Sequence, residues 1–186
     1  MDSFALKVAM LASFYQTTIA TPFGEMAAVC SATHLLALMF KDMKNVHKKI
    51  RQIGKCLGFD PSQLEETKTE LTMDLQSQID GFFKGSARKF CVPVLLTGSL
   101  FQQRTYRCLV EAARFGERIS YSALARKVSG NEASRRAVAL ALGCNPILLV
   151  IPCHRVLPSN IVKGIGGFAA GVQRKQELLR LEERIA

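Results

Sequence analysis

The sequence predicts a two-part α/β (α+β) protein: a small sheet-and-helix domain over residues 1–92, then a mainly helical domain over 93–186 that contains a helix-turn-helix. Three observations predict it. Alternating apolar positions with turn residues crowd the first part of the chain, and helix-length apolar stripes stopped by glycines fill the second half. Composition shifts between them, around Gly85, Ser86, Pro93 and Gly98. With 186 residues the chain can bury real hydrophobic cores, which excludes a small stapled scaffold.

The elements follow in order. Residues 15–30 alternate around Thr21-Pro22-Phe23-Gly24 and read as a hairpin, and Leu35 to Phe40 reads as a further strand. Asp60-Pro61-Ser62 followed by Glu65 and Glu66 reads as a helix start, with Leu64, Leu71, Leu75 and Ile79 as its apolar stripe and Gly85 as its stop. Helical patterns then run from Ser99 to Phe115, from Ser120 to Val128 and from Glu132 to Leu142, each followed by a glycine. The second and third are joined by the tight Ser129-Gly130-Asn131 turn and form the helix-turn-helix. A last helix covers 172–184, with Leu178, Leu179 and Leu181 apolar.

Charge is unevenly spread. Of the net +10, residues 1–93 hold 11 basic and 9 acidic side chains, whereas residues 94–186 hold 14 and 6. That second half uses eleven arginines against three lysines and contains no aspartate, a balance suited to phosphate contact by planar forks of donors. Cys30, Cys56, Cys91, Cys108, Cys144 and Cys153 show no C-x-x-C spacing, so reduced thiols are expected. Phe4 to Ala12 is apolar but lacks a basic leader and carries Lys7, so it reads as a core segment rather than a secretion signal. No apolar run approaches the roughly 20 residues that cross a bilayer. The expectation is an intracellular protein without membrane contact, nuclear in a eukaryote and cytoplasmic in a prokaryote.

The chemistry concentrates in Asn145-Pro146-Ile147-Leu148-Leu149-Val150-Ile151-Pro152-Cys153-His154-Arg155-Val156, an apolar run that ends on a cysteine, a histidine and an arginine. A thiol becomes a good nucleophile as its thiolate, which nearby positive charge favours, and His154 could supply that charge or take the proton. A buried free cysteine beside a surface basic pair would look the same from the tripeptide alone. Its position just after a helix-turn-helix, in the basic half, favours a nucleophile that shares one site with a DNA reader.

Here the sequence resembles the methylated-DNA-protein-cysteine methyltransferases, the O6-alkylguanine-DNA alkyltransferases, whose signature Pro-Cys-His-Arg-Val stands intact as Pro152 to Val156. Phe101-Gln102, Phe115 to Tyr121, Arg136-Ala137-Val138 and Asn145-Pro146 match in the family's order, so the resemblance covers about 85–186, with Thr17 to Gly24 the best earlier piece. The resemblance implies a ribonuclease-H-like N-terminal domain and a winged helix-turn-helix. It also implies direct transfer of an alkyl group from O6-alkylguanine in duplex DNA to Cys153, once per molecule because the thioether product is not hydrolysed.

Residue by residue, the resemblance makes Cys153 the acceptor and His154 a proton relay through a water, oriented by Asn145 and Glu182, with the adjacent Glu183 as the other register. Tyr121 would face guanine N3, and the backbone carbonyls of Cys153 and Val156 would accept the guanine amine. Arg136 would enter the stack vacated by the flipped base. Arg135 and Arg155 are read as further DNA contacts. Small Ser134, Ala137 and Ala139 suit the narrow minor groove, leaving Leu140 and Ala141 to pack inward. Val156, Leu142 and the loop residues Phe168, Ala169 and Ala170 would line the alkylguanine pocket. Phe168 and Ala170 depart from a frequent tyrosine and glycine, so the Ala170 methyl is expected to narrow the pocket against bulky alkyl groups.

No cofactor is expected, since no nucleotide-binding glycine motif implies S-adenosylmethionine. No metal is expected either, because Cys30, His34, His47 and Cys56 do not fall in the register of zinc-binding relatives. The expected partner is duplex DNA, met as a monomer. A lesion-binding module lacking the acceptor is disfavoured by the presence of Cys153 and the absence of tryptophan. A Cys-His hydrolase is disfavoured by the lack of a glycine-rich loop before Cys153.

Overall fold

The computed structural model describes residues 13–160 and 164–185. The Phe4 to Ala12 segment lies outside the described residues. A hairpin of β1 (Phe14–Ile19) and β2 (Met26–Ser31) is followed by β3 (Leu35–Phe40), all antiparallel. Thr21 makes the turn, its Oγ1 donating to the Gly24 carbonyl at 2.7 Å. The short β4 (Glu65–Glu66) adds parallel to β1, giving the order β3-β2-β1-β4. Every residue of β2 and β3 is buried, because both faces of the sheet are covered.

Helix α1 (Val46–Leu57) covers one face through Val46, Ile50 and Ile53, which pack with Val29, Leu36 and Met39. Sequence reading missed this helix: its buried apolar stripe is three residues, Val46, Ile50 and Ile53, and basic and polar residues take most of the other positions. On the other face lies α2 (Glu70–Lys84), whose Leu75, Ile79 and Phe82 join the main core. Its start corrects the expectation of a helix from Asp60. Asp60 caps only a 3-10 turn over Pro61–Gln63, and the α-helix opens at a reciprocal Thr69/Thr72 capping box. Gly85 ends α2 at φ 78°, and a Cβ there would clash with the Ile185 side chain, so both conformation and packing favour glycine.

The second half contributes α3 (Leu100–Ala112), α4 (Tyr121–Ser129), α5 (Arg135–Gly143) and α6 (Val172–Ile185). Ser99 and Gln102 form the capping box of α3, and Gly130 closes α4 in the left-handed region. A 3-10 turn, Glu132–Ser134, leads into α5, so the expected helix from Glu132 begins as one tighter turn. Tyr106 of α3 is buried and donates to the Ala141 carbonyl of α5 at 2.9 Å. Strands β5 (Ile119–Ser120) and β6 (Val156–Leu157) pair in parallel and bring the start of α4 beside the end of the Cys-His-Arg turn. One continuous core runs from Met26, Leu38 and Phe40 through Phe82 to Leu109, Leu124, Val138, Ile147 and Leu178. Among the described residues no helix is long and apolar enough to cross a membrane, and all six cysteines are free.

Candidate active site

The segment that delivers Cys153 is tied to the sheet before it reaches the site. Leu38 N–H donates to Pro146 O and Leu148 N–H donates to Leu38 O, both at 2.8 Å. A sharp turn follows, with Leu149 at φ 69°, and Ile151 N–H closes back on Ile147 O at 3.0 Å. Left-handed backbone is unfavourable for a branched apolar residue, at a cost of about 1–3 kcal/mol, and persists where surrounding packing enforces it. Leu149 is buried. The turn ends in a 3-10 helix, Cys153–Arg155, which aims the first side chain at Asn145 and the next two at Glu182.

Cys153 is buried, and its Sγ accepts a hydrogen bond from Asn145 Nδ2 at 3.1 Å. The same amide donates to Ile151 O at 3.0 Å, while Asn145 Oδ1 accepts from Ile147 N–H at 2.9 Å. Asn145 therefore holds the sulfur and the turn, which corrects the expectation that it orients His154. Its hydrogens are fully used on Sγ and Ile151 O. Burial pushes the Cys153 thiol up, opposed by the Asn145 bond and by the ammonium groups of Lys175 and Lys49.

His154 has no exposed surface; its Nε2 lies 2.8 Å from Glu182 Oε1, so the partner is Glu182, while Glu183 pairs with Arg118 at the surface. Arg155 closes on the same carboxylate from Nε (3.0 and 3.1 Å) and Nη2 (2.8 Å), and its Nη1 donates to Ala113 O at 2.9 Å. Burial raises the Glu182 carboxyl, yet the bonds from His154 and Arg155 prevail and hold it at about 2. Burial lowers the His154 imidazole against the pull of Glu182. The imidazole is therefore neutral beside an ionised carboxylate: Nε2–H donates to Glu182, and Nδ1 is left as a bare base. That Nδ1 is buried with no hydrogen-bond partner among the described residues.

Arg155 is thus not available to DNA. Only 6% of it is exposed, and its fork is spent inside the protein, which corrects its reading as a DNA contact. A neighbour that the sequence reading missed is Lys175, fully buried on α6, with Nζ donating to Val156 O at 2.7 Å and to Gly167 O at 3.2 Å. Burial, opposed by Cys153, brings its ammonium down to about 8. Its place was legible, since 175, 178, 179 and 182 share one helical stripe. Tyr121 opens α4 half-buried, its ring 6.0 Å from Lys175 Nζ, and burial raises its hydroxyl.

The family model described as "6-O-methylguanine DNA methyltransferase, DNA binding domain" matches residues 100–184. A methylated-DNA–protein-cysteine methyltransferase of Metallosphaera sedula is 40% identical over 109 residues, 58% of this chain and 65% of the relative. A methyltransferase of the same name from Methanosarcina mazei is 33% identical over 123 residues, 66% of this chain and 75% of that relative. The chain belongs to the methylated-DNA–protein-cysteine methyltransferase family. The match spans less than two thirds of the length of the Metallosphaera relative and of a Mycolicibacterium paratuberculosis relative, 65% and 62%. Among solved structures, Mycobacterium tuberculosis OGT in complex with DNA superposes with a TM-score of 0.77 at 27% identity, covering 92% of this chain and 94% of that one.

In this methyltransferase-family chain, α5 carries Arg135, Arg136, Ala137 and Ala139 exposed, with Ser134 half-buried at its start. Val138, Ala141 and Leu142 point into the core. Leu140 is 74% exposed, so it belongs to the outer face and not to the inner one expected for it. It lies one helical turn from Arg136, outside the arc that 138, 141 and 142 define. Leu142 is 5% exposed and packs with the core rather than standing open beside the sulfur. Phe168 meets the His154 ring edge-on at 6.4 Å between centroids; Ala169 is exposed and Ala170 buried. Residues 168–171, Gly143 and Lys44 share a cleft of about 500 Å³. Val156 is buried, with its carbonyl held by Lys175. Among the described residues no group of three or more His, Cys, Asp or Glu side chains could hold a metal ion.

Proposed function

We propose that the protein repairs DNA by moving the alkyl group of O6-alkylguanine in duplex DNA irreversibly onto Cys153, once per molecule and without a cofactor. The observation that carries this reading is the pairing around one buried sulfur: Asn145 donates to Sγ at 3.1 Å, and the neighbouring His154 offers a buried, unpartnered Nδ1 backed by Glu182.

The thiol proton passes to His154 Nδ1 through a water, and Glu182 stabilises the imidazolium formed. The thiolate attacks the sp³ alkyl carbon, an S–C bond forms as the C–O bond breaks, and the electron pair goes to the guanine. Tyr121 donates to guanine N3 as that charge develops. The Val156 carbonyl takes one bond from Lys175 and keeps a second lone pair for the guanine amine. The base must leave the duplex to reach a sulfur this deep, and Arg136 fills its place while α5 lies in the minor groove. Arg135, Ser134, Ala137 and Ala139 complete the contact face; Val156, Phe168, Ala169 and Ala170 enclose the base. The protein acts as an intracellular monomer.

The test incubates the protein with duplex DNA holding one O6-methylguanine and measures intact mass. One added methyl per molecule, mapped to Cys153 and absent from Cys153→Ala, is expected. Repeated turnover, or no adduct, overturns the reading.

A further inference from the structure

The described cations near Cys153 come from two sources, and one lies outside the half of the chain that carries the reaction. Lys49, on α1, is half-buried, and its Nζ donates to Gly143 O and to Asn145 O, each at 3.0 Å. Gly143 is the last residue of α5, where carbonyls lack helical partners and the helix dipole is negative, so a cation is favoured there. Asn145 is fully buried and spends its side chain on Ile147 N–H, Ile151 O and Cys153 Sγ.

We propose that Lys49 is a positioning residue for the nucleophile: its ammonium fixes the Asn145 backbone so that the Asn145 amide stays on Cys153 Sγ, and it brings positive charge to the sulfur. This rests on Cys153 being the acceptor, as argued above. Asn145 bonds the sulfur directly, and the ammonium groups of Lys49 and of Lys175 from α6 favour its thiolate. Burial and a thiolate there raise the hydroxyls of Tyr121 from α4 and Tyr106 from α3, and His154, backed by Glu182 and Arg155, is the next residue along the chain. Lys49 itself is faced by Cys153 and Cys144; burial lowers its ammonium and those two sulfurs raise it. Removing Lys49 takes its ammonium from the Gly143 and Asn145 carbonyls and leaves Lys175 as the remaining lysine whose charge favours the thiolate. Thiolate is then harder to form, and the Asn145 amide loses its anchor.

The experiment titrates the Cys153 thiolate by the difference in absorbance at 240 nm between each protein and its Cys153→Ser counterpart, in wild type, Lys49→Met, Lys49→Gln and Lys49→Arg. In Lys49→Met and Lys49→Gln the midpoint is expected to rise by about one unit, a roughly tenfold loss of thiolate at neutral pH, while Lys49→Arg stays near wild type. Lys49→Gln retains an amide donor without charge and replaces Lys49→Met should the latter not fold. A midpoint unchanged in these variants, with only a lower Tm, overturns the proposal. Methyl transfer from O6-methylguanine DNA is measured on the same proteins. Failure of wild type in that assay would remove the proposed function and leave the titration result standing on its own.

Discussion

Arg155 and Glu182 form a buried ion pair directly behind His154, with Glu182 Oε1 2.8 Å from Arg155 Nη2 and 2.8 Å from His154 Nε2. One carboxylate oxygen thus fixes the imidazole tautomer while being neutralised by a guanidinium. Removing one member of a buried pair strands the other charge, at a cost of about 3–5 kcal/mol. Glu182→Gln is expected to lower stability by about that amount and to slow methyl transfer by more than tenfold, checked by urea unfolding and single-turnover kinetics. A variant with wild-type kinetics would refute the role assigned to Glu182.

Stability should fall on acidification in two steps. Burial holds the folded His154 below its ordinary 6.5, so the unfolded chain binds a proton that the folded one refuses, and stability is lost as pH falls below 6.5. Glu182 falls from an ordinary 4.5 to about 2, so its contribution, complete above 4.5, is lost as pH drops through 2. Denaturant melts from pH 7 to pH 2 check both, and Glu182→Gln should flatten the lower step.

Asn145→Ala removes the donor to Sγ and leaves the buried Ile147 N–H unpaired, at a cost of about 1–3 kcal/mol, while Ile151 O keeps the bond from Cys153 N–H. Lower Tm and roughly tenfold slower methyl transfer are expected. Full reactivity with Cys153 would show the Asn145 bond to be dispensable.

Arg135→Ala and Arg136→Ala should each reduce the slope of log affinity for duplex DNA against log salt by about 1. Arg136→Ala should also slow transfer from duplex DNA while leaving transfer from free O6-methylguanine base unchanged. Arg155→Ala should leave the salt slope intact and lower Tm, since its guanidinium is spent on Glu182 and Ala113 O. Fluorescence anisotropy across a salt series distinguishes them.

Ala170 is buried in the loop beside Phe168. Poor reaction with O6-benzylguanine relative to methylated DNA is expected, and Ala170→Gly should raise the benzylguanine rate roughly tenfold, within the range that one methyl makes in a close pocket. Equal rates of the wild-type protein on both substrates would rule out a narrowed pocket.

Local rules carried much of this fold. The Thr21 to Gly24 turn, the Gly85 stop and the Ser99 cap depend on neighbours within a few residues, and all are visible in the chain. The helix start at Thr69 is hidden because Asp60-Pro61 also caps locally, whereas the chain turns extended at Leu64 and pairs Glu65 and Glu66 with β1 before the Thr69 box opens the helix. The site divides the same way. Cys153 and His154 announce themselves by juxtaposition. The helical stripe of α6 shows that Lys175 faces inward, but its bond to Val156, the inward turn of Arg155 and the reach of Lys49 depend on groups 19, 27 and 96 residues away, which no periodicity encodes.

The stem before Cys153 hangs on β3 through the two backbone bonds at Leu38, and β3 belongs to the sheet of the first half. A fragment beginning at residue 93 would keep every side chain of the Cys-His-Arg turn yet lose the rail that stem rests on, baring a carbonyl at 146 and an N–H at 148. Modular exchange is therefore constrained: a chimera that grafts this second half onto another relative's sheet keeps the geometry of the Cys-His-Arg turn only where the donor strand offers the same register at the position of Leu38.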